Sequence, residues 1–169
     1  MKKIYSLGTS KRTLDEFLKI LKFYRIQVVI DVRRWPTSKW FEYFKKENLE
    51  KILAENNIEY CHFEKLGGYR EGGYEKYTKT KEFKEALKEL IKISKFQNIV
   101  LICAERLPWQ CHRAIIAKEL GKKKFEVFHI IDQDYLWQSK AELGKIRPLC
   151  QKKLFRSGID FLPKDKKIK

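Results

Sequence analysis

The fold is decided by the run Asn98-Ile99-Val100-Leu101-Ile102-Cys103-Ala104, in which five strongly apolar residues follow one another without a polar interruption. A short apolar run of this kind, bounded by polar residues, is typical of a strand that is buried on both faces. The run Gln27-Val28-Val29-Ile30-Asp31-Val32 has the same character. Such strands occur in parallel sheets that are covered by helices, so the sequence predicts an α/β protein.

Strand-like and helix-like segments alternate along the chain on either side of these two runs. The predicted strands are 3–7, 27–32, 58–63, 98–104 and 125–131, and the predicted helices are 14–24, 48–55, 83–91 and 113–120. This order predicts a mostly parallel five-stranded sheet with helices on both faces, a Rossmann-like three-layer architecture. Because the chain has neither a GxGxxG fingerprint nor a GKS/T loop, we expect no dinucleotide or nucleoside triphosphate cofactor.

The segment that follows the predicted sheet is basic. Residues 140–169 hold ten Lys and Arg against three Asp and Glu, a net charge of +7. We therefore expect a single α/β domain over 1–138, followed by a basic and partly mobile C-terminal extension over 139–169.

The 169 residues carry 38 Lys and Arg against 22 Asp and Glu, a formal net charge of +16. This excess favours a polyanionic partner, most simply DNA or RNA. The alternative is a Lys- and Glu-rich surface like that of thermophilic proteins, which explains many charges but not their imbalance. There is no apolar run of the ~20 residues that span a bilayer and no signal-peptide pattern. We expect a cytoplasmic protein that contacts no membrane, with its four cysteines reduced.

Titratable side chains follow several of the predicted strands at the points where those strands end. Asp31 and Arg33 come at the end of the second strand, and Glu105 comes shortly after the fourth. Because ligands of open parallel sheets bind beyond the carboxyl ends of the strands, we expect these residues at one site. Asp31 and Glu105 are candidate catalytic groups that activate water, and Arg33 is a candidate substrate ligand. The alternative for Asp31 is a cap or a salt bridge to Arg33.

The triplet Cys111-His112-Arg113 lies at the start of a predicted helix. Free backbone N–H groups there favour an anion and depress the pKa of a thiol. Cys111 is therefore a candidate catalytic thiol, and His112 and Arg113 are candidate substrate ligands. The alternative is that Cys111 packs inward and Arg113 pairs with an acid. A phosphatase loop is excluded, since Trp109 stands six residues after Cys103. Zinc is not expected, because adjacent Cys and His side chains do not easily point at one ion.

Two further segments combine cations with aromatic rings. The stretch 33–46, which includes Trp35, interleaves five cations with five aromatic residues, and a glycine-rich loop carries Gly67, Gly68, Tyr69 and Arg70. Cations neutralise phosphates and flat rings stack on exposed bases, so we expect these residues to bind substrate. The alternative is that some of the rings cover the core.

The ordered set of motifs resembles the domain of unknown function family 488. The resemblance rests on Ser6-Leu7-Gly8-Thr9-Ser10, Asp31-Val32-Arg33, Leu66-Gly67-Gly68 and Cys103-Ala104-Glu105 followed by Cys111-His112-Arg113, over roughly residues 3–135. Family members often carry His where this chain has Thr9. The resemblance implies a compact α/β domain with a site near the Asp-Val-Arg and Cys-His-Arg motifs, and it implies no particular reaction.

The sequence leaves three functions open. The first is a nucleic-acid-binding enzyme of hydrolase or DNA-glycosylase type, which processes a base or nucleotide by carboxylate-activated water. The second is a thiol-dependent enzyme that acts on a small anionic substrate. The third is a non-catalytic module that binds nucleic acid.

Overall fold

The computed structural model describes residues 2–138, which form one six-stranded sheet with helices on both faces. The predicted α/β class is therefore confirmed. The strands are β1 (Lys2–Gly8), β2 (Val28–Asp31), β3 (Glu59–His62), β4 (Ile99–Cys103), β5 (Phe125–Asp132) and β6 (Tyr135–Trp137). The helices are α1 (Leu14–Phe23), α2 (Lys46–Glu55), α3 (Tyr74–Tyr77), α4 (Lys81–Ser94) and α5 (Arg113–Lys122), with short 3-10 turns at Glu42–Phe44, Glu64–Leu66 and Pro108–Gln110.

The strand order is β3-β2-β4-β1-β5-β6, and β1 to β5 run parallel. The sequence predicts five strands, and this number is corrected by β6, which pairs antiparallel with β5 across a two-residue turn. A strand of three residues is too short to show a hydrophobic period, so the sequence does not reveal it. The predicted extension over 139–169 lies outside the described residues.

The core consists of two apolar layers, because successive residues of a buried strand point to opposite faces of the sheet. Phe17, Leu21, Leu49 and Leu53 of α1 and α2 pack on the face of Val29 and Ile102. Leu90, Ile116 and Leu120 of α4 and α5 pack on the face of Ile30 and Leu101. We call these the α1/α2 face and the α4/α5 face. The three-layer arrangement thus follows from strands that are apolar on both sides.

The connections between strands reverse direction after β3, and the neighbouring strands β2 and β4 therefore send the chain to opposite faces of the sheet. The chain runs from β1 to β2 and β3 with its helices on one face, then returns to β4 and crosses to β5 with its helices on the other. Parallel crossovers are almost always right-handed, so the reversal of direction moves the helices to the other face. The loops after β2 and β4 diverge at this point, which is where ligands of open α/β sheets bind. Within residues 2–138, no helix has the length and apolar character needed to cross a membrane.

Candidate functional site

Asp31 and Arg33 form a closed ion pair at the end of β2. The guanidinium donates from Nη2 to Asp31 Oδ2 at 2.5 Å and from Nε to Oδ1 at 2.9 Å, and the Arg33 backbone N–H adds a bond to Oδ1 at 3.0 Å. The hydroxyl of Tyr60 donates to Asp31 Oδ2 at 2.7 Å. Asp31 is completely buried and Arg33 is 5% exposed. Both carboxylate oxygens are therefore engaged by groups of the protein itself.

The hydroxyl of Tyr60 and the carbonyl oxygen of Phe44 complete the surroundings of this pair. Burial raises the pKa of Tyr60, and the negative charge of Asp31 raises it further, so the phenol stays a hydrogen-bond donor. Arg33 also donates to the carbonyl oxygen of Phe44 at 2.8 Å, which fixes the chain that follows β2. The geometry thus matches the salt-bridge alternative for Asp31. A direct catalytic role for this carboxylate stays a prediction.

Cys103, Cys111 and His112 lie together on the α4/α5 side of the same sheet edge. One ligand atom from each, the two Sγ atoms and an imidazole nitrogen, all fall within 4.8 Å of one another. Cys103 is 7% exposed at the end of β4, and Cys111 is partly exposed directly before α5. We call these three residues, with Arg113, the thiol cluster.

Arg113 is completely buried, and its contacts are unusual for a buried cation. Nη1 donates to Ser6 Oγ at 2.8 Å, Nη2 donates to the backbone oxygen of Glu105, and Nε lies 3.4 Å from Cys111 Sγ. Within residues 2–138, the ion pairs include none between Arg113 and a carboxylate. A buried charge is costly unless a partner compensates it. The group placed to compensate Arg113 is the sulfur of Cys111.

The electrostatics of the thiol cluster shift the pKa values of its two sulfurs in opposite directions. A hydrogen bond from the Cys103 thiol lowers the pKa of Cys111, and His112 and the positive charge of Arg113 lower it further against the opposing effect of burial. The same hydrogen bond, together with burial, raises the pKa of Cys103. Of the two sulfurs, Cys111 is therefore the one that ionises more readily. By contrast, burial and the nearby Glu59 raise the pKa of Cys61 to about 11.

His112 is held in one orientation by three neighbours. Its Nε2 lies 2.9 Å from the carbonyl oxygen of Val32, and since a carbonyl only accepts, this nitrogen donates. The ring of Tyr74 lies 5.0 Å away between centroids. Nδ1 then faces Cys111 Sγ at 3.7 Å. The imidazole is thus placed to accept a proton from the thiol of Cys111.

The glycines predicted to bind substrate serve close packing in this structure. A Cβ on Gly67 would lie 2.6 Å from Arg34 Cα, and a Cβ on Gly68 would lie 3.0 Å from His112 Nδ1. Gly8 has the same role at the end of β1, since a Cβ there would lie 2.2 Å from the backbone oxygen of Glu105. These glycines let the loops after β1 and β3 approach the site residues. Whether they also contact a substrate stays a prediction.

A cleft of about 240 Å³ opens on the same edge of the sheet. It is lined by Thr9, Ser10, Arg33, Glu105, Phe44 and the 37–41 loop. The side chain of Glu105 is exposed here, while its backbone oxygen accepts from Arg113. The structure therefore brings Arg33 and Glu105 to one cleft and places Cys111 outside its lining. The predicted site residues share one edge but form two separate groups.

An exposed aromatic and cationic surface borders this edge. Trp35 is 60% exposed and Tyr69 is 82% exposed, and their ring centroids lie 5.9 Å apart. The Arg34 guanidinium stacks 4.9 Å from the Trp35 ring and donates to the backbone oxygen of Tyr69. Lys39 lies 5.3 Å above the ring of Trp40, which is 80% exposed. We call these five residues the aromatic rim.

Arg70 does not belong to the aromatic rim. Its Nε donates to the Gly67 carbonyl at 3.0 Å, and its guanidinium lies 4.3 Å from the centre of the Tyr77 ring. Its side chain is only 12% exposed. These contacts hold the glycine-rich loop in place, and the predicted substrate contact of Arg70 stays untested.

Sequence reasoning missed the polar residues that support Arg113 from inside the sheet. Ser6 on β1 accepts from Arg113, and its hydroxyl lies 3.0 Å from His129 Nδ1 on β5. Both are completely buried in apolar strands. A polar residue within an apolar strand is the signal that indicates such a role.

The thiol cluster also contains three atoms that bind soft metals, two sulfurs and an imidazole nitrogen. The sequence-based objection to zinc is that adjacent Cys and His side chains do not easily point at one ion. Here the ligand atoms of Cys111 and His112 converge with that of Cys103, so the geometry does not support this objection, and the expectation of no zinc stays a prediction. The Arg113 guanidinium, 3.4 Å from Cys111 Sγ, would repel a bound cation. The arrangement therefore fits a thiolate paired with a guanidinium better than a metal centre.

Comparison with curated proteins and with solved structures finds no match. A family model, described as Domain of unknown function DUF488, matches residues 13–120. This match runs from the start of α1 into α5 and includes the Asp-Val-Arg segment and the whole thiol cluster. The chain therefore belongs to the DUF488 family.

Proposed function

We propose that this protein is a thiol-dependent enzyme that uses Cys111 as its nucleophile toward an anionic, electrophilic substrate. The observation that carries the proposal is the contact between Arg113 Nε and Cys111 Sγ at 3.4 Å, made by a buried guanidinium that has no carboxylate partner within residues 2–138. The thiolate, not the thiol, is the reactive form of cysteine. A fixed cation beside the sulfur maintains that form at neutral pH.

The remaining members of the thiol cluster have distinct roles in this chemistry. His112 accepts the thiol proton at Nδ1, and Cys103 donates a hydrogen bond that stabilises the thiolate. The Cys111 sulfur then attacks an electrophilic centre and forms a covalent bond, while the leaving group departs with the proton held by His112. Water releases the product and restores the thiol.

The geometry supports this mechanism better than water activation by Asp31. Both Asp31 oxygens accept bonds from Arg33 or Tyr60, and the residue is completely buried, so no water reaches the carboxylate without breaking the ion pair. Unlike Asp31, Glu105 is exposed, and its side chain lines the cleft beside Arg33. Glu105 is therefore the better of the two carboxylates for activating water.

Alkylation by iodoacetamide at graded pH tests whether Cys111 is activated. We expect Cys111 to react at its full rate at pH 6, where an ordinary thiol of pKa ~8.5 is almost entirely protonated. Cys61, with a pKa raised to about 11, is the internal control and should react only in strongly alkaline solution. Replacing Arg113 with Gln should shift the Cys111 midpoint upward by about 1–3 pH units. An alkylation midpoint for wild-type Cys111 at or above pH ~8.5 would overturn the proposal.

Covalent catalysis is tested separately with p-nitrophenyl acetate as an acyl donor. Rapid release of nitrophenolate, with an acetyl group on the Cys111 peptide in the mass spectrum, is the expected result. Cys111→Ser should abolish the adduct, whereas Cys61→Ser should retain it. A nitrophenolate burst that survives Cys111→Ser would place the nucleophile elsewhere.

A second candidate function, binding of single-stranded nucleic acid, is favoured by the aromatic rim. Trp35 and Tyr69 present exposed rings beside Arg34 in a protein of net charge +16. Tyr69 directly follows Gly68, whose backbone packs against the His112 ring, so the rim and the thiol cluster are adjacent. The two proposals are compatible, because a nucleic acid bound on the rim would be an anionic substrate near Cys111.

Titration of fluorescent DNA and RNA oligonucleotides at several salt concentrations tests this second candidate. Trp35→Ala and Tyr69→Ala should each weaken binding by about 1–3 kcal/mol if each ring stacks on a base. The matched control is Phe96→Ala, which removes an equally exposed ring, 83% exposed, after α4. Equal effects of Trp35→Ala and Phe96→Ala would reject the rim as the binding surface.

A further inference from the structure

The thiol cluster contains two sulfurs, and nucleophilic catalysis uses only one of them. Cys103 and Cys111 are separated by one connection, from the end of β4 to the start of α5, and their Sγ atoms lie within 4.8 Å of each other. A disulfide needs an S–S distance of about 2.05 Å, so modest movement of this connection brings the sulfurs into bonding distance. Ala104, Glu105, Trp109 and Gln110 of the connection are exposed, which leaves room for that movement.

The two sulfurs differ in accessibility in the way that a stepwise oxidation requires. Cys111 is partly exposed and therefore meets solutes first, whereas Cys103 is 7% exposed behind it. Arg113 Nε lies 3.4 Å from Cys111 Sγ, where its positive charge would stabilise a negative charge on the outer sulfur. Oxidation by peroxides is selective for accessible thiolates that have a second thiol beside them.

We propose that Cys103 is a resolving thiol, and that hydroperoxides convert Cys103 and Cys111 into a reversible disulfide. This inference goes beyond the proposed enzymatic function and shares with it the negative charge of Cys111. The site would thereby hold a redox couple whose oxidant is a hydroperoxide and whose reductant is an external thiol.

The oxidation proceeds in two balanced steps. The Cys111 thiolate attacks one peroxide oxygen and the O–O bond breaks. The sulfur loses two electrons and becomes a sulfenic acid. The other peroxide oxygen takes a proton and leaves as water or an alcohol. The Cys103 sulfur then attacks the Cys111 sulfur, and the S–O bond breaks. The departing hydroxide takes the Cys103 proton and leaves as a second molecule of water.

The oxidised form lacks the charge that balances Arg113. When Cys111 forms a disulfide its sulfur becomes neutral, and among residues 2–138 the buried guanidinium keeps Ser6 and backbone oxygens as its partners. Loss of the thiolate therefore destabilises the oxidised protein relative to the reduced protein. When the folded protein stabilises the two thiols more than it stabilises their disulfide, the reduction potential of the disulfide is more oxidising. Such a disulfide is readily reduced. We accordingly expect glutathione to restore both thiols.

The experiment uses the full chain with Cys61→Ser and Cys150→Ser, so that Cys103 and Cys111 are the remaining thiols. After one equivalent of hydrogen peroxide, intact mass and peptide mapping should show the loss of two hydrogen atoms and a Cys103–Cys111 link. The same protein carrying Cys103→Ser, which keeps a hydrogen-bond donor, should instead stop at a sulfenic acid on Cys111 that dimedone traps.

The outcomes separate this inference from the proposed function. If Cys111 is alkylated at pH 6 but peroxide yields a dimedone adduct and no disulfide while Cys103 is present, the inference is wrong and the nucleophile proposal stands. If the disulfide forms while Cys111 shows an ordinary alkylation midpoint, the nucleophile proposal is wrong and the resolving role of Cys103 stands, but without support from the charge of Cys111. A disulfide that glutathione at cytosolic concentration does not reduce would contradict the predicted reversibility.

Discussion

Replacing Asp31 with Asn is expected to destabilise the fold strongly, because it leaves the Arg33 guanidinium buried without its counter-ion. Arg33 is 5% exposed and makes three side-chain bonds to the Asp31 carboxylate, at 2.5, 2.9 and 3.1 Å. Breaking a buried ion pair by removing one partner costs about 3–5 kcal/mol. For a chain of this size that loss corresponds to a fall in Tm of roughly 6–20 °C.

Urea unfolding followed by tryptophan fluorescence measures this loss. The matched control is Asp15→Asn, which breaks the exposed pair of Asp15 and Lys19 at 2.8 Å and should leave the urea midpoint unchanged. Tyr60→Phe provides a milder variant if Asp31→Asn does not fold. It removes one hydrogen bond to a charged group, which is expected to cost about 1.5–3 kcal/mol.

The reasoning is refuted if Asp31→Asn unfolds at the same urea concentration as Asp15→Asn. That result would mean that the Asp31 carboxylate does not balance Arg33 in the folded protein. It would also restore Asp31 as a candidate general base, especially if turnover were lost at the same time.

Three further predictions concern the thiol cluster and the glycines that border it. Cys111 has a lowered pKa in the folded state, so the free energy of unfolding of the wild-type protein should rise relative to that of Cys111→Ser as the pH rises to about 8.5, by up to ~1.4 kcal/mol per pH unit. The wild-type protein should lose this advantage as the pH falls. A difference in unfolding free energy that is flat between pH 5 and pH 8 would contradict this prediction. Gly68→Ala places a Cβ 3.0 Å from His112 Nδ1 and should slow Cys111 alkylation at pH 6, whereas Gly121→Ala, which meets nothing within 4 Å, should not. Gly8→Ala would place a Cβ 2.2 Å from the backbone oxygen of Glu105 and should lower the free energy of unfolding by about 1–3 kcal/mol in urea titrations. Equal urea midpoints for Gly8→Ala and Gly121→Ala would show that the backbone around Gly8 relaxes freely.

The fold was predictable because its strands are apolar on both sides. The runs 27–32 and 98–104 indicate a covered parallel sheet, and helical periodicity gives α1, α2, α4 and α5. Thr13 caps α1, with its hydroxyl accepting from Glu16 N at 3.1 Å. The hairpin strand β6 escaped detection because pairing with β5, rather than its own composition, determines it.

The sheet edge of the candidate site was predictable from topology, but the division of its residues was not. Asp31 and Cys103 both end buried strands, yet Asp31 lies with Tyr60 on the α1/α2 face and Cys103 lies on the α4/α5 face. The face that each side chain occupies depends on strand register, which the sequence does not show directly. The closed pair with Arg33 further separates Asp31 from solvent.

The partners of Arg113 were hidden because they are distant in sequence. Ser6 lies 107 residues away along the chain, and only the pairing of β1 with β4 and β5 brings it beneath α5. The convergence of Cys111 and His112 was missed for a different reason. Cys111 has extended backbone angles and His112 has helical ones, so their side chains do not diverge as neighbours on a strand do.

The ionisation of Cys111 tests the central claim most directly. Thiolate absorbance in the ultraviolet, recorded as a function of pH for the wild-type chain and for Cys111→Ser, isolates the titration of this one sulfur in the difference. The thiolate should already be fully present at pH 6, held by Cys103, His112 and Arg113. A difference titration centred near the ordinary thiol pKa of ~8.5, or above it, would contradict the account.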